Sequence, residues 1–272
     1  MKKKITALAL VVAILAIAII GGTLAYFTDE SQVVSNTFTA GNVKIDLYEM
    51  IGNEKTAEGK AYEEAIMPGR VFDKEPIIEV EEKSQDAYVF LDMTLNKYKS
   101  LVPVMALDAA ADEKIDFTDA DVEKCMVDGK FSTLTFLNNM QAKPAVFRAI
   151  VDKWFIGIDH ENWEVCGFFY DTKADDTTAK GNWMTIRLAY IGKGDPVLSA
   201  GETVSFMTNF QMPASVTQEM IENGRTANQF NEGDAFSIKF KAYAIQADQL
   251  DTVDAAFTAL FGSDLGEFWK EA

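Results

Sequence analysis

Apolar and polar residues alternate with a period of two along several stretches of the chain, which predicts strands with one buried and one wet face. In "NVKIDLYEM", Val43, Ile45 and Leu47 fall on one side, and Lys44, Asp46 and Tyr48 on the other. "YVFLDMTL" repeats the pattern through Val89, Leu91, Met93 and Leu95, and "WMTIRLAYI" through Met184, Ile186, Leu188 and Tyr190. "TVSFMTNFQM" offers Val204, Phe206 and Phe210 as one further strand. The cleanest case is "AFSIKFKAYAI", where Phe236, Ile238, Phe240, Ala242 and Ala244 oppose Lys239 and Lys241. Turn residues, "MPGR" at 67–70 and "SAGET" at 199–203, stand just ahead of strands. The economical arrangement is all-β: an antiparallel, jelly-roll-like β-sandwich.

From about residue 99 to 160 the texture changes, and a helical insertion is expected. "FTDADVEKCMVDGK" opens with a helix-cap signal, Thr118 three residues before Asp121. "STLTFLNNMQAKPAVFRAIVDKWF" is broken by Pro144, after which Val146, Ile150 and Trp154 recur at helical spacing. This insertion is expected to lie against the sandwich or over one end. "SVTQEMIENG" at 215–224 reads as a short helix closed by Gly224, and "DTVDAAFTALFG" as another, with Phe257, Leu260 and Phe261 as its stripe. The polar "DTKADDTTAKGN" at 171–182 predicts a hairpin loop, and no internal repeat is visible.

The N-terminus follows neither period. Lys2, Lys3 and Lys4 precede an apolar run from Ile5 to Ile20 that only Thr6 interrupts, which is the physical form of a secretory signal. Gly21 and Gly22 break the helix, and Thr23-Leu24-Ala25 supplies small residues at the two positions a signal peptidase must fit. Cleavage after Ala25, leaving Tyr26 first, is the expectation. The alternative is an uncleaved anchor, since the run is close to the roughly 17 residues that span a bilayer. No basic stop-transfer cluster follows it, which favours cleavage. The expected organisation is therefore a signal peptide at 1–25, an N-terminal strand at 26–38, and a sandwich domain at 39–272.

Composition narrows the function. With 272 residues, 48% of them hydrophobic, the chain can bury a sizeable core. Its net charge of −17, made more negative when the leader lysines leave, argues against binding nucleic acid or anionic lipid. A soluble extracellular protein, screened or bridged by cations, fits better. Two cysteines, Cys125 and Cys166, could pair after export, closing a loop of about 40 residues worth about 3–4 kcal/mol. Two buried thiols are the other reading.

Catalytic constellations are hard to find. There is one histidine, His160 in "GIDHENW", and no H-E-x-x-H or G-x-S-x-G. No catalytic residue, metal ligand or cofactor is assigned. A zinc site would have to draw on His160 with Asp159 and Glu161, short of the three well-placed ligands and open position that zinc hydrolysis needs. The acid-rich "DAAADEKIDFTDADVE" and "DTKADD" offer oxygens of the kind calcium takes, in no EF-hand spacing. Calcium binding and plain solvation both stay open there.

"GTLAYFTDESQVVSNTFTAGNVKIDL" resembles the start of the TasA/camelysin family through Thr23, Ala25, Tyr26, Phe27, Asp29, Phe38, Gly41 and Leu47. The resemblance continues more weakly through "IMPGRVFDKEPIIEVEEKSQDAYVFLDMTL" and covers nothing from about 99 to 235. It implies processing by a SipW-type signal peptidase. It also implies secreted subunits joined head to tail into biofilm-matrix fibres by donor-strand exchange, each chain's main partner being another copy, with other matrix proteins as further candidates. Residues 26–38 would be the donor strand: they hold β-branched and aromatic residues, no proline or glycine, and few charges. Phe27 and Val33 would lie on one face, Val34 and Phe38 on the other. The rival reading is an ordinary first strand folded back on its own domain. Two other functions stand beside the fibre subunit: a camelysin-like secreted metalloendopeptidase, and a monomeric surface adhesion protein.

Overall fold

The structure, a computed structural model, describes residues 28–32, 35–36, 43–51, 53–56, 67–96, 98–170, 183–228 and 238–262. In chain order these form β1 (Thr28–Gln32), β2 (Ser35–Asn36), β3 (Ile45–Ile51), β4 (Glu54–Thr56), β5 (Val71–Asp73), β6 (Ile77–Val80) and β7 (Ala87–Asn96). Next come α1 (Tyr98–Ala110), α2 (Asp119–Lys124), β8 (Met126–Val127), β9 (Lys130–Phe131), α3 (Thr133–Gln141), α4 (Pro144–Trp154) and β10 (Phe155–Ile156). Then follow β11 (Trp163–Tyr170), β12 (Trp183–Tyr190), β13 (Val197–Leu198), β14 (Thr203–Ser205), β15 (Asn209–Gln211), α5 (Gln218–Asn228), β16 (Ile238–Gln246) and α6 (Val253–Phe261).

All strand pairings are antiparallel. The main sheet runs β11-β12-β7-β16-β1-β2, with β13 also on β7, and the second runs β14-β6-β3-β4. Between these sheets Val43, Ile45 and Leu47 meet Ile78, Val80, Val89, Leu91 and Met93 in one core. The structure is thus the expected antiparallel β-sandwich with helical insertions. A third sheet, β10-β15-β5, joins the core through Phe155, Phe210 and Phe72, their rings 5.4 and 6.4 Å apart in sequence of contact.

Two strand expectations change. Strand β7 has no wet face: Tyr88, Phe90 and Asp92 on its other side are also buried. Helix α6 covers them, with Phe257 and Phe261 edge-on to Phe90 at 5.6 and 5.5 Å. The apolar pair Tyr88 and Phe90, out of phase with Val89 and Leu91, carried that signal. The single strand read in "TVSFMTNFQM" divides into β14 and β15, which belong to different sheets. Phe206 and Met207, in the segment that crosses from one sheet to the other, are both buried.

The helices fill 98–154, and their starts follow local chemistry. The Asp121 carboxylate accepts the Thr118 N–H at 3.1 Å, completing a capping box for α2. Ser132 caps α3 by accepting the Thr135 N–H, and Pro144 opens α4 at its first turn, where a missing N–H costs nothing. Within this insertion β8 and β9 form a hairpin whose Asp128 and Gly129 both have positive φ, 50° and 74°. Asp108 on α1, wholly buried, accepts a hydrogen bond from Ser215 and sits 3.0 Å from the Lys153 ammonium of α4. Helix α5 passes the expected stop at Gly224 and continues to Asn228.

Candidate functional site

The N-terminal edge of the main sheet is the first candidate. Strand β16 pairs on one side with β7 and on the other with β1, from Thr28↔Ile245 to Gln32↔Lys241. Strand β1 in turn pairs with β2 through Ser31↔Asn36 and Gln32↔Ser35. Within the segment read as one strand over 26–38, the described residues form two short strands lying antiparallel. On the facing strand, Ala242 and Ala244 are buried in the main core and Ile245 in the smaller cluster under α6. The cleavage residues Thr23, Leu24, Ala25 and Tyr26, and the donor residues Phe27, Val33, Val34 and Phe38, lie outside the described residues.

His160 was the only anchor for a zinc reading. Its Nε2 lies 2.7 Å from Asp152 Oδ1 on α4. Its sequence neighbours turn elsewhere: Asp159 accepts from the Glu161 N–H and the Asn162 amide, and Glu161 pairs with Lys193 at 2.6 Å. Among the described residues no three His, Cys, Asp or Glu side chains come together as a metal site. One imidazole and one carboxylate do not make the donor set of a zinc hydrolase, so the residues in place do not fit that group. The acidic stretch over 108–123 is also dispersed. Lys153 sits between Asp108 and Asp112, while Asp121 is engaged by Lys124 and Lys143.

The cysteines do not meet. Cys125, just after α2, is buried in the main core with the Asn139 amide 3.7 Å from its sulfur. Cys166, at a register shift in β11, is buried in the cluster on the opposite face of the main sheet. Both are free thiols, so the bridge considered from the sequence is replaced by two separate core residues. Burial pushes both thiols above their ordinary range, Cys166 far above it.

Among the described residues no helix is long and apolar enough to cross a membrane. Searches of curated proteins and of solved structures find no match. One family does match: residues 1–53 fit the model of the family described as camelysin metallo-endopeptidase. That span holds the expected cleavage residues and the whole of β1, β2 and β3, and in it the chain is similar to the TasA/camelysin family.

Proposed function

We infer that the protein is an exported structural subunit that assembles into extracellular fibres by strand exchange at the β16 edge. The observation that supports this reading is the position of β1. It is the first described strand, it begins three residues after Ala25, and it completes the main sheet beside the last strand, β16. A backbone ladder of this kind is indifferent to whether the strand comes from the same chain or from a neighbour. Each hydrogen bond contributes about 0.5–1.5 kcal/mol net, and association entropy offsets part of the total. Exchange is head to tail and does not close on itself, so it propagates. The matrix, a SipW-type peptidase and other secreted proteins are the setting this reading requires.

Electron microscopy of the mature protein is the test. A chain starting at Tyr26 should form filaments, and one starting at Thr39 should not. Charges at Val33→Asp and Val34→Asp should abolish filaments while leaving the melting temperature of the unassembled protein unchanged. A large fall in that melting temperature would place the segment in its own domain and overturn exchange. The family description supports a peptidase as a second reading. It requires casein cleavage that a chelator abolishes and that His160→Ala removes.

A further inference from the structure

A cleft of about 160 Å³ opens between α4 and the inner face of the main sheet at its β11–β12 side. Its floor is apolar and buried: Met93, Phe147, Val151, Ile186, Leu188 and Phe206. Its rim carries Arg148 and Asp152 from α4, His160 from the loop after β10, and Glu164 from β11. The size restricts what can enter. A dry apolar cavity near 150 Å³ takes one benzene-sized group, whereas sites for drug-sized ligands run to about 300–1,000 Å³. One branched aliphatic or phenyl side chain fills this space.

The rim charges divide in two. His160 and Asp152 hold each other at 2.7 Å. Arg148 and Glu164 are both exposed, and among the described residues neither side chain has a hydrogen-bond or ion-pair partner. One unpaired guanidinium and one unpaired carboxylate thus flank a hole for one apolar side chain. We propose that this cleft binds a free apolar α-amino acid. The side chain occupies the floor, the α-carboxylate takes the two parallel N–H donors of Arg148, and the α-ammonium takes Glu164. Arg suits the carboxylate because its planar fork gives bidentate, charge-assisted hydrogen bonds. An apolar side chain projecting from another protein would use the floor but would not bring both charges on one carbon. This separates the proposal from a protein-docking role, and it is independent of fibre assembly.

Calorimetric titration of the full mature chain with leucine and phenylalanine tests it. Binding should be saturable in the millimolar range or tighter. Phenethylamine and 3-phenylpropionate, each lacking one charge, should bind about tenfold or more weakly, about 1.4 kcal/mol per factor of ten. Arg148→Met should erase the preference for phenylalanine over phenethylamine, and Glu164→Gln the preference over 3-phenylpropionate. Both variants should melt as wild type without ligand, because both side chains are exposed. N-acetyl-phenylalanine amide binding as well as phenylalanine would assign the floor to a protein side chain and overturn the proposal. Absence of heat and of any melting shift with free amino acids would also overturn it, as would affinity unchanged in both variants.

Discussion

Arg187 grips Asp92 across the β12–β7 pair, its Nε 2.6 Å from Oδ1 and its Nη2 2.7 Å from Oδ2. The Tyr243 hydroxyl of β16 donates to the same carboxylate at 3.1 Å, and the guanidinium lies 3.6 Å from the centre of the Phe261 ring in α6. Burial, and then the Asp92 charge, raise the Tyr243 hydroxyl above its usual range. Three strands and the C-terminal helix therefore share one charged pair. Asp92→Asn keeps the shape but strands the guanidinium, and breaking one side of a buried pair costs about 3–5 kcal/mol. Urea unfolding should show that loss. The double replacement Asp92→Leu with Arg187→Met should lose far less, because it leaves no unpaired charge behind.

The thiols give a second prediction. With both sulfurs buried in separate clusters and burial disfavouring thiolate, neither should react with a disulfide reagent in native buffer. Both should react in denaturant. One thiol count fewer than two in denatured, unreduced protein would mean a bridge had formed after all.

Gly157 supplies a third. Its φ is +73°, and a Cβ there would stand 2.4 Å from the Thr208 hydroxyl. Thr208 cannot retreat freely, since its N–H and hydroxyl donate to the Ile156 carbonyl at 3.0 and 3.2 Å. Gly157→Ala should destabilise the fold by about 1–3 kcal/mol through backbone strain alone, with the clash adding to it. Adding Thr208→Ala should recover only the clash, because the backbone strain remains.

Acid sensitivity gives the fourth. The Lys124 ammonium first, then the Thr118 N–H and hydroxyl, and Lys143, hold the Asp121 carboxyl well below the usual carboxylate range. A folded-state pKa below the unfolded value of about 3.9 means the unfolded chain takes up the proton first. The contribution is therefore complete above about pH 4 and is lost as pH falls further. Asp121→Asn should lower the urea midpoint at neutral pH, and the two curves should converge in acid. A constant gap across the whole range would assign the effect to the lost cap geometry alone.

Much of the sandwich was legible because β3, β7, β12 and β16 follow period two and their apolar faces enter one core. The failures have local causes. Helix α1 falls within the expected helical insertion, although no cap or period marked it and Pro103 sits inside it, a residue that argues against a helix interior. The β8–β9 hairpin was announced by Asp128-Gly129, a strong turn signal, yet sat inside a stretch read as helical. Gly224 costs a helix about 1 kcal/mol relative to alanine and need not end it. The cleft could not be read at all. Arg148, Asp152, His160 and Glu164 are close in the sequence, but Met93, Ile186 and Phe206 reach it only through the fold.

The sheet order also sets a timetable. Strand β7 waits for β16, some 150 residues further along the chain, and β1 waits for the same strand from further still. Such distant pairings are slow to form, since loop closure must come before they are rewarded. During synthesis the amino end emerges first and its ladder partner more than 200 residues later. For that interval β1 has only the short β2 of its own chain beside it, and a neighbour whose β16 is already in place is a competitor for its other edge. Under the proposed strand exchange, local concentration, more than the energy of the finished ladder, would then decide whether a new chain closes on itself or joins another.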